Sequence, residues 1–204
     1  MSDNKSKQVA KNTIYLYIRM ILVMAVSLYT SRVVPQVLGI EDFGIYNVVG
    51  SVVVFLSFLQ AALRNATFRY FTYDLGAGNT DSLGKTYSMA INTHMLMALV
   101  LFLLMEIGGI WFINCKMNVV PERLYAANWA FQFSLLTFCI SVIRTPFESN
   151  ILAHERMDFY AITSVAEVFL RLGIVYLLLV IPLDKLIVYG GLTMLVYFSL
   201  FLFY

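Results

Sequence analysis

Runs of apolar residues recur along the chain, each separated from the next by a few polar or glycine-rich positions. Six such blocks are present, at about 14–38, 43–63, 87–113, 124–143, 159–181 and 186–204, and Arg19, Arg32 and Pro35 interrupt the first. Each approaches or exceeds the ~18 apolar residues that mark a transmembrane helix candidate. The alternation of polar and apolar positions expected of barrel strands is absent. A backbone in hydrocarbon must satisfy its own hydrogen bonds, so helices are expected. The pattern predicts an all-α fold, a polytopic transmembrane helical bundle of about six spans.

The separators read as connections. Residues 74–82, Asp-Leu-Gly-Ala-Gly-Asn-Thr-Asp-Ser, form a predicted glycine-rich turn, 114–123 and 182–185 short turns, and 154–158 a compact charged corner. Residues 1–12 are polar and basic and read as a cytoplasmic tail ahead of the bundle at 13–204. They do not read as a cleaved signal, because the apolar run behind them is too long and no small-residue cleavage site follows.

Composition narrows the function classes. Of 204 residues, 60% are hydrophobic and 13% charged, against roughly 45–50% and about 25% in ordinary soluble domains. So few charges do not cover a water-soluble domain of this size, which excludes a conventional soluble enzyme, a disordered chain and a disulfide-stapled module. A formal net charge of +2 gives no basic field for nucleic acid. Cys115 and Cys139, the only two cysteines, lie at different depths and read as isolated thiols.

Charge asymmetry predicts orientation. With the N-terminus inside, eight basic residues fall on the cytoplasmic side (Lys5, Lys7, Lys11, Arg64, Arg69, Lys85, Arg144 and Arg156) and four outside (Arg32, Lys116, Arg123 and Lys185). That bias places the N-terminus in the cytoplasm. Aromatic residues near span ends, among them Tyr15, Trp111, Trp129 and Tyr160, suit an interfacial belt. A shift of 114 residues aligns Leu38, Glu41, Tyr46, Val54 and Phe55 with Leu152, Glu155, Tyr160, Val168 and Phe169. Composition alone accounts for that many identities, so no repeat is inferred.

No catalytic constellation is present, and the chain does not read as an enzyme. His94 and His154 lie on different segments without a second metal ligand at suitable spacing. There is no Walker lysine, no GxSxG and no pair of carboxylates on one helical face. Neither a metal nor a cofactor is expected. The informative residues are instead charges within or at the ends of spans, where ionisable groups are costly and face a partner or a watery cavity. Glu106 lies in the third span, and Glu167 and Arg171 lie four apart in the fifth, spaced for a structural ion pair. Arg19, Arg64 and Arg144 have no acidic partner within their own spans, apart from Glu148 one turn beyond Arg144. They either snorkel to the headgroups or line a cationic cavity suited to an anionic headgroup, for which arginine has the donor geometry. Two polar stripes run at helical spacing, Asn47, Ser51, Ser57, Ala61 and Arg64 on one span and Ser134, Thr137, Ser141, Arg144 and Glu148 on another. Such stripes either pack helices closely or line an aqueous path.

The segment Leu38-Gly39-Ile40-Glu41-Asp42-Phe43-Gly44-Ile45-Tyr46 resembles the LGxxxFGxY signature between the first two helices of bacterial polysaccharide exporters. Arg69-Tyr70 with Gly76 and Gly78, and Ile151-Leu152-Ala153-His154-Glu155-Arg156-Met157, also resemble segments of that group. The resemblance is to the O-antigen and capsule repeat-unit (Wzx-type) flippases of the multidrug/oligosaccharidyl-lipid/polysaccharide exporter superfamily, and spans essentially the whole chain. It implies one lobe of a two-lobe transporter in the bacterial inner membrane. It also implies a partner, an undecaprenyl-diphosphate-linked oligosaccharide moved between leaflets by alternating access. By position, Arg19 and Arg64 would face the cavity, Arg144 less directly, and Arg32 would lie near the outer mouth. Such exporters are about twice this length, so the chain is expected to need a C-terminal half or a second copy. The alternatives are a multidrug exporter of the same superfamily, which the lack of an acidic residue deep in the first span disfavours, and a non-transporting membrane assembly protein or gene fragment.

Overall fold

The computed structural model describes residues 2–78, 80–117 and 119–204. Asn79 and Asn118, within the turns predicted at 74–82 and 114–123, lie outside the described residues, as do Met1 and the side chains of Lys5 and Lys7. Among the described residues seven α-helices are found: α1 (Ser2–Leu38), α2 (Ile40–Val54), α3 (Ser57–Gly76), α4 (Thr80–Cys115), α5 (Leu124–Ala153), α6 (Met157–Leu177) and α7 (Lys185–Leu202). A single 3-10 turn, Pro121–Arg123, leads into α5. No strand occurs among the described residues. Among the described residues five helices are long and apolar enough to cross a membrane, and α2 with α3, bent by 45° at their break, are together long and apolar enough for a sixth. The fold is an all-α polytopic bundle.

The bend has a local cause in the hydrogen-bond ladder. The Phe55 amide still reaches Ser51 O at 3.0 Å, but the Leu56 amide turns to Val53 O at 3.0 Å and the Leu59 amide to Leu56 O at 3.1 Å. Three-residue bonds of this kind tighten the turn and redirect the axis. Proline does not break the helices here: Pro35 lies inside α1 and Pro146 inside α5.

Helix α5 is the hub, packed against α2, α3, α4 and α7. Ala126, Ala127 and Ala130 on its buried side let neighbouring backbones approach, the usual device where lipid supplies no hydrophobic drive. Gly109 of α4 lies over the Phe131 ring so closely that an added Cβ would stand 2.2 Å from Phe131 Cζ. A second apolar cluster joins Val34, Val37 and Leu38 of α1 to Ile174 and Val175 of α6 and Leu178 just past its end. The outer faces, including Ile14, Met24, Leu28, Leu99, Leu103 and Ile107, stay exposed and suit contact with lipid.

Six alternating spans give the bundle two ends. At the first, where α5 turns into α6, Gln8 Nε2 donates to Glu155 Oε2 at 3.1 Å and Asn12 Nδ2 to the Glu155 carbonyl at 3.4 Å. At the second, Arg123 reaches Asp184 at 2.6 Å and Asp42 at 3.2 Å. Lys185 Nζ there donates to the Val37 carbonyl at 3.0 Å. Asp184 also caps α7, accepting from the amides of Leu186 and Ile187. These contacts draw together the starts of α2, α5 and α7. Gly39, the corner between α1 and α2, has φ 89°, a conformation that a side chain would strain.

Several predicted boundaries move. The turn expected over 74–82 is shorter, because α3 runs to Gly76 and α4 starts at Thr80. Asp74 is a buried helical residue that accepts from Ser82 Oγ at 3.0 Å and Thr86 Oγ1 at 2.6 Å. Those two hydroxyls replace the water a loop would offer, which lets both helices extend. Arg64 and Arg69 consequently lie inside α3 rather than at the close of a span. Residues 2–12 continue α1 as regular helix, and α5 runs ten residues past the predicted 143.

Candidate functional site

Between α1 on one side and α2 and α3 on the other, a groove opens over α5, α6 and α7. It comprises three adjoining cavities. The first, about 430 Å³, is lined by Asn47, Ser51, Ser134, Thr137 and Ser141, with Tyr46 and Tyr197. The second, about 310 Å³, carries Ser27, Thr30, Tyr46, Asn47, Val168 and Arg171. The third, about 160 Å³, holds Arg19, Arg64, Arg144, Glu148, Tyr160, Glu167 and Tyr204. Much of both polar stripes thus meets in one groove. The hydroxyls of Ser134, Thr137 and Thr145 donate back to carbonyls one turn earlier and present their lone pairs sideways. Gln60 Nε2 bridges α3 to α5 by donating to Ser141 Oγ at 3.0 Å and Thr145 Oγ1 at 3.1 Å.

The charged groups form a continuous chain across three helices. Arg64 of α3 meets Glu148 of α5 at 3.1 Å, and Glu148 meets Arg144, one turn earlier on α5, at 2.8 Å. Arg144 then reaches Glu167 of α6 at 3.4 Å, and Glu167 reaches Arg171 at 2.8 Å. Arg171 also donates to the Tyr197 hydroxyl of α7. Arg19 of α1 completes the group, donating to Tyr160 Oη at 3.2 Å with its guanidinium 4.5 Å from the Tyr160 ring centre. The Arg144 guanidinium stands 5.4 Å from the rings of both Tyr197 and Tyr204. Aromatic faces and alternating charges together hold guanidinium groups that hydrocarbon alone would expel.

Exposure grades this chain. The Arg144, Glu148 and Glu167 side chains are 10%, 7% and 18% exposed, whereas those of Arg64 and Arg171 are 41% and 40% exposed. The middle is therefore buried scaffold and the two ends are accessible. Four guanidinium groups face two carboxylates, which leaves two positive charges uncompensated. The Nε atoms of all four, Arg19, Arg64, Arg144 and Arg171, are buried without a hydrogen-bond partner.

Of the residues expected to bind an anion, Arg19, Arg64 and Arg144 come together in one cavity. Arg32 does not: it is an exposed residue of α1 and lines none of the three cavities. Arg64, without an acidic partner in its own span, finds Glu148 on α5, and Arg144 pairs both with Glu148, one turn on, and with Glu167 of α6. The pair Glu167–Arg171 forms as its spacing predicted, with Arg144 as a further partner. Glu106 sits away from the groove, in the α4–α5 seam, accepting from Gln132 Nε2 at 2.9 Å. Tyr197 and Tyr204 were not singled out from sequence, and Tyr160 only as a belt aromatic. The spacing 160, 164, 167, 171 on α6 carries a signal for Tyr160, because it puts Tyr160, Ser164, Glu167 and Arg171 on one helical face.

His94 is buried, with Nδ1 at 2.8 Å from the Ala90 carbonyl, and His154 is exposed. Among the described residues no group of three or more His, Cys, Asp or Glu side chains is arranged to hold a metal ion. Cys115 is exposed and Cys139 half-buried, both free thiols. Comparison of the chain with family models, with curated proteins and with solved structures finds no match.

Proposed function

We propose that this bundle is one lobe of an exporter for lipid-linked oligosaccharides carried on undecaprenyl diphosphate, working by alternating access in a bacterial inner membrane with the N-terminus in the cytoplasm. The observation that carries this reading is the cluster of Arg19, Arg64 and Arg144 within one open groove of an otherwise apolar bundle. Guanidinium groups match phosphate oxygens through their planar fork of donors, and an apolar protein keeps such charges inside a membrane at a cost. The remaining groove suits the rest of such a cargo. Its larger cavities carry hydroxyl, amide and tyrosine groups able to meet sugar hydroxyls. The resemblance of the 38–46 segment to polysaccharide exporters points the same way. A second lobe, from a C-terminal half or a second copy, would close the groove.

Complementation tests this reading. The protein expressed from its complete reading frame is expected to restore surface polysaccharide to a flippase-deficient strain, and Arg19→Ala with Arg64→Ala to abolish that rescue. Normal polysaccharide in the doubly substituted strain, at equal protein level, would sink the anion-site assignment.

A further inference from the structure

We infer that Glu148 is a tethered stand-in for the cargo's anion: its carboxylate holds the Arg64 guanidinium until a phosphate oxygen takes that place. The inference rests on the groove being an anion path and adds a positioning residue to it.

Glu148 is 5% exposed and bridges two arginines from different helices, at 3.1 Å to Arg64 and 2.8 Å to Arg144. A structural ion pair needs only one of them. Arg144 is fixed, being 10% exposed, tied also to Glu167, and flanked by two tyrosine rings. Arg64 differs in each respect. Its side chain is 41% exposed, and Glu148 is its one carboxylate contact among the described residues. The guanidinium is thus held by a single Nη2 to Oε2 contact, with the rest of its donor fork unused. A phosphate offers that fork a bidentate arrangement that one carboxylate oxygen does not.

Exchange of this kind leaves the buried carboxylate satisfied. When Arg64 swings to an incoming phosphate, Glu148 keeps Arg144, so no lone charge is stranded in the low-dielectric interior. Arg19 lies across the same cavity on α1 with an unpartnered Nε, and supplies the second cationic wall. The two uncompensated positive charges of the cluster then meet an anion carrying two negative charges, as a diphosphate esterified at both ends does with one per phosphate. A singly charged phosphodiester would leave one of them unmatched. Empty, the site is closed by its own carboxylate, which keeps stray anions from resting on Arg64. On release, the same carboxylate recaptures the guanidinium and helps the product leave.

Titration of the purified full-length protein in detergent with inorganic diphosphate, by calorimetry at fixed ionic strength, tests this. Glu148→Gln removes the competing charge at nearly constant shape and is expected to tighten diphosphate binding about tenfold, the worth of one hydrogen bond to a charged group. Glu148→Asp keeps the charge but withdraws it by one methylene; it is expected to give a smaller gain and serves where E148Q does not fold. In an Arg64→Gln background the gain from E148Q should vanish, which a general loosening of the bundle would not produce. Binding unchanged or weakened in E148Q and E148D, with native binding intact, overturns the inference and leaves the anion path standing. Binding absent in the native protein but present in E148Q supports it, as a carboxylate that occludes the site. Binding absent in every form overturns both readings together.

Discussion

Replacing Arg144 with methionine keeps the bulk of the side chain and removes its charge, and the consequence for stability follows from its position. The Arg144 side chain is 10% exposed and contacts Glu148 and Glu167, themselves 7% and 18% exposed. Breaking a buried ion pair by removing one partner costs roughly 3–5 kcal/mol, because the other charge is left uncompensated. Glu148 keeps Arg64 and Glu167 keeps Arg171, so the low end applies and the expected loss is about 3 kcal/mol. Arg64→Met gives the contrast within the same chain of charges. Its side chain is 41% exposed with one contact, where pairs are worth about 0.2–1 kcal/mol, and Glu148 retains Arg144. Unfolding in mixed micelles with increasing SDS, followed by helical circular dichroism, reads both. The buried arginine should shift the midpoint strongly and the accessible one barely. Equal shifts, or a larger one for R64M, would refute the division of this chain into scaffold and accessible ends.

Other outcomes follow from the packing and the two ends. Gly109→Ala places a methyl group against the Phe131 ring and is expected to cost about 1–3 kcal/mol in the same assay, with partial recovery in G109A/F131L. Asp184→Ala removes both the cap of α7 and an Arg123 partner, with an expected loss of about 1 kcal/mol or more. Cys115, exposed at the second end, should react with a membrane-impermeant maleimide added outside intact cells with permeabilised outer membranes, while half-buried Cys139 should not. Labelling of Cys115 only from the cytoplasmic side would reverse the proposed orientation.

Hydropathy made the six spans legible, since a lipid-facing helix has to be apolar over nearly its whole length. Their junctions were harder to read. Asp74 and the glycines after it have the composition of a loop, yet Ser82 and Thr86 satisfy the carboxylate from the next helix and let α3 continue. The bend at Phe55 and Leu56 falls in a run of valine and phenylalanine with neither glycine nor proline at the break, so no local residue announces it. The candidate site was half visible. Placing Arg19, Arg64 and Arg144 within apolar spans marked them out, and the four-residue step from Glu167 to Arg171 gave one pair. The partner of Arg64 lies 84 residues away on α5, and spacing along one helix carries no information about which helices pack together. Arg32 shows the converse. Position along α1 and the family resemblance put it near the outer mouth, yet it lines none of the three cavities, and which residues of a helix meet a cavity is set by packing rather than by sequence position.

In the proposed function the guanidinium groups of the groove carry an anionic lipid-linked sugar across the membrane. Its most direct test is transbilayer movement of a fluorescent polyprenyl-diphosphate oligosaccharide in proteoliposomes holding the purified full-length protein. Protein-dependent movement is expected, and Arg19→Ala with Arg64→Ala should reduce it to the rate of empty vesicles. Movement unchanged by those substitutions, or equal movement of an uncharged glycolipid of the same length, would contradict it.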